Sequence, residues 1–196
     1  IAGNYQFRSG ETISQIIDKI AQGRFYQVKI TFPEGSTAKQ MAFGLDQAGI
    51  CRKEDYLKLT QQPEIFQKPW LTGAKNLEGY LFSDTYYLSP GISPHQVIET
   101  QLKRFEEVYP GNLGKESFAE LNQKVVLASI IEKEAQEKSE KPVVASVFLN
   151  RLKSNMKLES CATVIYAWDL EKGVQLSSLS LDDLTIQSPY NTYLQV

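Results

Sequence analysis

Val125-Val126-Leu127-Ala128-Ser129-Ile130-Ile131-Glu132-Lys133-Glu134 runs without Gly or Pro, and its apolar residues recur at helical spacing. Leu127, Ile130 and Ile131 share one face of such a helix, and the next positions on that face are Glu134 and Lys138. Glu134 thus falls where an apolar residue would ordinarily sit, whereas Glu132 and Lys133 point elsewhere. A carboxylate held against Ile and Leu loses hydration, which disfavours its charged form and raises its pKa. That is the condition for a carboxylic acid able to donate a proton near neutral pH. The competing reading is that Glu134 merely opens a polar helix end, continued by Glu137, Lys138 and Glu140. Periodicity alone leaves both open.

The chain has 196 residues, enough for one large domain or one domain with a small companion. Apolar content of 42% and charged content of 22% are ordinary for a soluble globular protein. A net charge of −2 argues against the basic surface of a nucleic-acid binder. No apolar run approaches the roughly 20 residues needed to span a bilayer. The chain begins at Ile1 with no initiator Met and no signal-type segment, which reads as an excised piece. Cys51 and Cys161 are the only cysteines and read as two thiols rather than a bridge. The single His95, after Pro94, reads as a surface residue at a helix start, and it leaves too little imidazole for most zinc sites or a His relay. No metal is expected.

Toward the N-terminus, Asn4 to Phe7 alternates polar and aromatic and predicts a short strand ending at Ser9-Gly10. Thr12 is the expected N-cap of a helix carrying Ile13, Ile16, Ile17 and Ile20, stopped by Gly23. Tyr26 to Phe32 predicts a second strand. After Pro33-Glu34-Gly35, Ser36 or Thr37 caps a helix bearing Met41, Leu45 and Ala48, ended by Gly49, and Lys53 to Leu57 starts another. Pro63 and Lys68-Pro69 mark a boundary, giving regions 1–68 and 69–196. Aromatic and aliphatic residues then crowd between Trp70 and Leu88, with Glu78 and Asp84 embedded among them. Such a segment is either a sugar-binding wall or plain core. Ser93-Pro94 opens a helix through Val108, and Pro142 opens one with Val143, Val144, Val147, Phe148 and Leu152 on one side. Leu158 to Ala167 reads as extended, and Ser177 to Leu184 as a capped turn with a short helix.

Five segments, in order, resemble the YceG-like (MltG) family of endolytic murein transglycosylases. They are Phe32-Pro33-Glu34-Gly35, Leu77 to Tyr86 (Leu-Glu-Gly-Tyr-Leu-Phe-Ser-Asp-Thr-Tyr), Ala128 to Glu134, Ala145 to Leu152, and Ser188-Pro189-Tyr190-Asn191-Thr192-Tyr193. The resemblance implies an α+β fold: a small LysM-like N-terminal module, largely supplied by Tyr26 to about Leu59, followed by a mixed α/β catalytic domain. It implies Glu134 as the catalytic acid, the same residue the helix face singles out. It implies cleavage of the MurNAc-GlcNAc β-1,4 bond within glycan strands to leave 1,6-anhydroMurNAc ends, with no cofactor. Glu78, Asp84, Asn150, Arg151, Tyr190 and Asn191 are the accompanying candidates for lining the groove or ordering Glu134. Peptidoglycan is the implied substrate and cell-wall synthases are the implied partners. The implied setting is the inner (cytoplasmic) membrane, crossed once by an anchor in the full-length protein, with this domain on the periplasmic or extracytoplasmic side.

The chain departs from the family pattern at Ser83, where Pro is usual, and at Cys161-Ala162, where Asp-Pro is usual. It also ends at Val196, where the pattern continues into Gly-Leu-Pro-Pro-Gly and further elements. A degenerate, non-catalytic peptidoglycan-binding or scaffold relative is therefore the alternative. A pyridoxal-phosphate lyase is the remote one, since no lysine stands in a Schiff-base context.

Overall fold

The computed structural model describes residues 3–195. Among them the elements follow as α1 (Ile13–Ala21), β1 (Val28–Thr31), α2 (Ala38–Gln47), α3 (Lys53–Thr60), β2 (Thr85–Leu88), α4 (Pro94–Val108), α5 (Phe118–Glu134), α6 (Lys141–Lys153) and α7 (Cys161–Lys172). Short 3-10 turns lie at Pro63–Phe66, Pro69–Leu71 and Asp182–Thr185. This mixed α/β chain divides into two compact units, Ile1–Leu121 and Asn122–Val196.

In the first unit three helices start by the same local chemistry. The hydroxyls of Thr12, Thr37 and Ser93 each accept from the amide three residues on, and the Gln at that position accepts the cap's own N–H in return. Two otherwise orphaned amides are satisfied at each start, so α1, α2 and α4 begin where the sequence predicts. Gly49, at φ 66°, takes the left-handed turn just past α2 that a Cβ would disfavour.

The core of this unit lies among α2, α3 and α4. Met41, Leu45, Tyr56, Ile98 and Leu102 are essentially inaccessible. The buried Tyr56 hydroxyl donates to Gln101 Oε1 at 2.7 Å, and the Gln101 amide lies 3.4 Å from the Met41 sulfur. That pairing offsets the cost of burying both polar groups. Burial pushes the Tyr56 phenol far above its ordinary titration range.

β1 and β2 pair antiparallel, with Val28 opposite Leu88 and Thr31 opposite Thr85. The period-two alternation of strands turns Tyr86 and Leu88 inward and Tyr87 outward. The expected boundary at 68/69 falls between these paired strands, inside the first unit. The aromatic stretch is core: Trp70, Leu77, Tyr80, Leu81, Tyr86 and Leu88 are buried. Trp70 stacks on Phe105 at 5.2 Å and donates its indole N–H to Glu106 at 2.8 Å.

Two expectations are corrected. Asn4 to Phe7 forms no strand; one backbone bond, Tyr26 N–H to Asn4 O, replaces a ladder. Cys161–Lys172 is helix, not extended chain, despite the β-branched Thr163-Val164-Ile165. Helix propensities differ by only a few tenths of a kcal/mol per residue, so tertiary bonds at the helix start override them.

The second unit has a small apolar centre, Val164, Ala167 and Ile186, ringed by Trp168, Leu179, Leu184 and Tyr193. On α6 only Phe148 is buried; Val143, Val147 and Leu152 on its expected apolar side are exposed.

Candidate active site

Glu134 is the last residue of α5. Ile130 is buried, Leu127, Ile131 and Glu134 are partly covered, and Val126, Ser129 and Lys133 face out. The helix face read from the sequence is therefore the covered one. It stops one turn earlier than expected: Lys138 lies in the turn beyond α5, where the Glu140 carboxylate accepts from the amides of Gln136 and Glu137.

The two acids of Glu132-Lys133-Glu134 have different fates. Glu132 is neutralised by Lys141, 2.6 Å away. Glu134 has no ion-pair partner among the described residues. Instead its Oε1 accepts two bonds from the start of α7, one from the Ser160 hydroxyl and one from the Ala162 N–H at 3.2 Å. Among the described residues Oε2 accepts none. Glu134 thus caps a helix whose N-cap residue, Ser160, lies 26 positions later in the chain, and the first turn of α7 places its positive end against the carboxylate.

Three further residues hold that junction. The Thr163 hydroxyl donates to Ser160 O at 2.8 Å, so the proton shared between Thr163 and Thr192 at 2.9 Å comes from Thr192. Thr192 Oγ1 in turn accepts the Ser160 N–H at 2.9 Å, and its backbone carbonyl takes the Glu159 N–H. Arg151 secures the approach: its Nη1 donates to Lys157 O, Leu158 O and Glu159 Oε2 at 2.8 to 3.1 Å. Glu159 sits at φ 51°, a left-handed turn that a non-glycine residue keeps only when its surroundings enforce it.

The other expected site residues fall as follows. Asn191 is fully buried; its amide donates to Leu184 O and Ile186 O, and its Oδ1 accepts the Tyr193 N–H. Tyr190 is exposed, with its ring edge-on to Tyr166 at 5.2 Å. Asn150 is exposed on α6. Glu78 and Asp84 belong to the first unit and are engaged there. Both Glu78 oxygens receive the Ala38 N–H at the start of α2. Asp84 accepts the Thr85 N–H at 2.7 Å and pairs with Arg104 at 2.6 Å, two partners that hold its carboxyl below the usual range.

Sequence reading missed Ser160, Thr163, Tyr166 and the Ala162 amide, which become visible only once 161–172 is helical. It also passed over Thr192, although that residue lies inside the quoted Tyr-Asn-Thr-Tyr signature.

Residues 1–196 match the model of the YceG-like family. The chain belongs to that family. It is 33% identical over 210 residues to a Bacillus subtilis protein named endolytic murein transglycosylase, covering 98% of this chain and 57% of the relative. A protein of the same name from Streptococcus pneumoniae is 25% identical over 226 residues, covering 100% of this chain and 40% of the relative. A crystal structure of a YceG-like protein from Listeria monocytogenes matches with a TM-score of 0.69 at 30% identity, over 98% of this chain and 68% of that one. The chain spans about half the length of the curated relatives it matches.

Within this YceG-like chain the Cys161-Ala162 pair lies at the Glu134 carboxylate, to which the Ala162 N–H donates. A Pro at 162 has no N–H to give, so the bond from Ala162 to Glu134 depends on the departure. Cys161 is exposed, with its sulfur 3.3 Å from the Tyr193 hydroxyl. Cys51 is half-buried beside Asp46 and Asp55, and burial first, then those charges, push its thiol up to about 11. The thiolate is the reactive form, so at pH 8 iodoacetamide is expected to label Cys161 well before Cys51. Peptide mapping after limited labelling reads this, and preferential label on Cys51 would contradict the burial pattern.

Proposed function

We propose that this chain is a lytic transglycosylase that cleaves the MurNAc-GlcNAc β-1,4 bond within peptidoglycan strands, with Glu134 as acid and then base. The observation that carries the reading is Glu134 itself: a carboxylate that, among the described residues, has no cation partner, with one oxygen held by α7 and the other accepting no bond. Glu132 and Glu159, the carboxylates beside it and beside Ser160, are neutralised by Lys141 and Arg151. The names of the relatives support the substrate class.

The chemistry needs only one carboxyl group. Protonated Glu134 gives its proton from Oε2 to the glycosidic oxygen as the bond from MurNAc C1 to that oxygen breaks. The leaving GlcNAc departs with a 4-hydroxyl. The MurNAc C6 oxygen then bonds to the electron-poor C1, and its proton passes to Glu134 Oε2, restoring the acid. No water is consumed, in contrast to hydrolases, which use a second carboxylate to activate water or attack the sugar. The nucleophile is already part of the substrate, which removes much of the entropic barrier.

In the first unit the order β1–α2–α3–β2, with its antiparallel pair, supports a LysM-like module, one that takes its second strand from beyond residue 68. We place the reaction on the extracytoplasmic side of the cytoplasmic membrane, beside cell-wall synthases. No helix among the described residues is long and apolar enough to cross a membrane.

Mass spectrometry of glycan strands incubated with the protein tests the reading. Fragments ending in 1,6-anhydroMurNAc are expected. Reducing-end products would mean hydrolysis and defeat the one-carboxylate mechanism, and unaltered strands would favour the non-catalytic binding relative.

A further inference from the structure

We propose that Ser160 is the positioning residue for Glu134, its hydroxyl fixing Oε1 so that Oε2 alone carries the reacting proton. The inference rests on the lytic reading above and names the group that makes one carboxyl oxygen different from the other.

The argument starts from what a serine at this place ordinarily does. Ser160 is the N-cap of α7, and an N-cap hydroxyl normally turns inward to accept from an amide of its own first turn. Here it makes no such bond. Glu134 has taken over the capping role by accepting the Ala162 N–H, which releases the Ser160 side chain from turning inward and lets its hydroxyl point at the carboxylate and donate to it. The side chain has little freedom to do otherwise. Ser160 is 2% exposed, its N–H is given to Thr192, and its carbonyl takes the Thr163 hydroxyl.

Two hydrogens directed at Oε1 leave no room for a third. When Glu134 is protonated, its own hydrogen must therefore sit on Oε2. When it is ionised, between the two proton transfers, the hydroxyl and the amide both stabilise the charge, and bonds to an ionised acceptor are the stronger kind. The same carboxylate oxygen is thus bound in both states, and the acid does not have to turn during the cycle. Thr192 and Thr163 act one step further out, by aiming Ser160.

Steady-state cleavage by the parent, Ser160→Ala and Ser160→Thr proteins tests this, with urea unfolding of each. Ser160→Ala is expected to lower kcat by about 10- to 100-fold, the range of a lost bond to a charged group, with KM little changed. Ser160→Thr keeps the hydroxyl and is expected to restore most of the rate. Parental kcat in Ser160→Ala would overturn the proposal. So would a Ser160→Thr protein as slow as Ser160→Ala despite a parental urea midpoint, since the hydroxyl would then be irrelevant. A double-mutant cycle with Glu134→Ala, read as urea midpoints, needs no activity. Losses smaller in the double variant than the sum of the singles support the pairing, and strict additivity refutes it. Absence of anhydro products from the parent would count against the lytic reading alone, and the cycle would still judge the Ser160–Glu134 bond.

Discussion

On the proposed mechanism, Glu134→Gln is expected to lower the rate of glycan cleavage by at least about 10³-fold while leaving the fold in place. Gln keeps an oxygen where Oε1 stands, so the Ser160 hydroxyl and the Ala162 N–H retain their acceptor and α7 its cap. What the substitution removes is the dissociable proton on the other oxygen. An amide neither protonates a leaving group nor takes the C6 hydroxyl proton, so both halves of the reaction fail together. The expected result is no anhydro-ended product on the parent's timescale, at an unchanged urea midpoint. Glu132→Gln is the matched control. It breaks the partly exposed pair with Lys141, for which a loss of about 0.2–1 kcal/mol of stability is the usual scale, and is expected to leave cleavage intact. If the control abolished cleavage and Glu134→Gln did not, the acid would be misassigned.

Asn191→Ala destabilises the second unit by about 3–5 kcal/mol, because buried groups left without partners cost about 1–3 kcal/mol each. The side chain is inaccessible, and its truncation strands two carbonyls, Leu184 O and Ile186 O, and one amide, Tyr193 N. Against a typical domain stability of about 5–15 kcal/mol, that is a large share. Activity should fall with it. Thr192 follows directly in the chain, and its hydroxyl holds the Ser160 N–H. Asn191→Asp provides no rescue, since it retains the acceptor but sets a negative charge against two carbonyl oxygens. Urea unfolding of the three proteins measures the effect, and a parental midpoint for Asn191→Ala would show that the turn is held by something else. Asn191 is thus held inside its own turn, next to the residue whose hydroxyl takes the Ser160 N–H.

How much could be read beforehand follows from how local each cause is. The starts of α1, α2 and α4 were legible because a hydroxyl and a Gln three residues later form a self-contained pair. The covered face of α5 was legible because 3.6-residue periodicity is a property of the segment itself. α7 was not, because its cap comes from another helix and its early residues, Thr163, Val164 and Ile165, favour strands. The aromatic segment from Trp70 to Leu88 was undecidable by composition, since rings that stack on sugars are also the rings that fill cores. Asp84 and Glu78 drew attention as acids among aromatics, and both turn out to be tied within their own unit, to Arg104 and to the start of α2.

The bond from Ala162 to Glu134 also bears on how such chains diverge. A carboxylate that completes a helix start is retained for folding even where its chemistry is no longer needed. In this unit the apolar centre is only a few side chains, so a bond that fixes a helix start is a larger share of what holds the fold. A duplicate that drifted into a purely binding role would shed Glu134 late, after surface residues of its groove had changed. Loss of the neighbouring hydroxyl at 160, which the cap itself does not use, would be the earlier trace of retirement from catalysis.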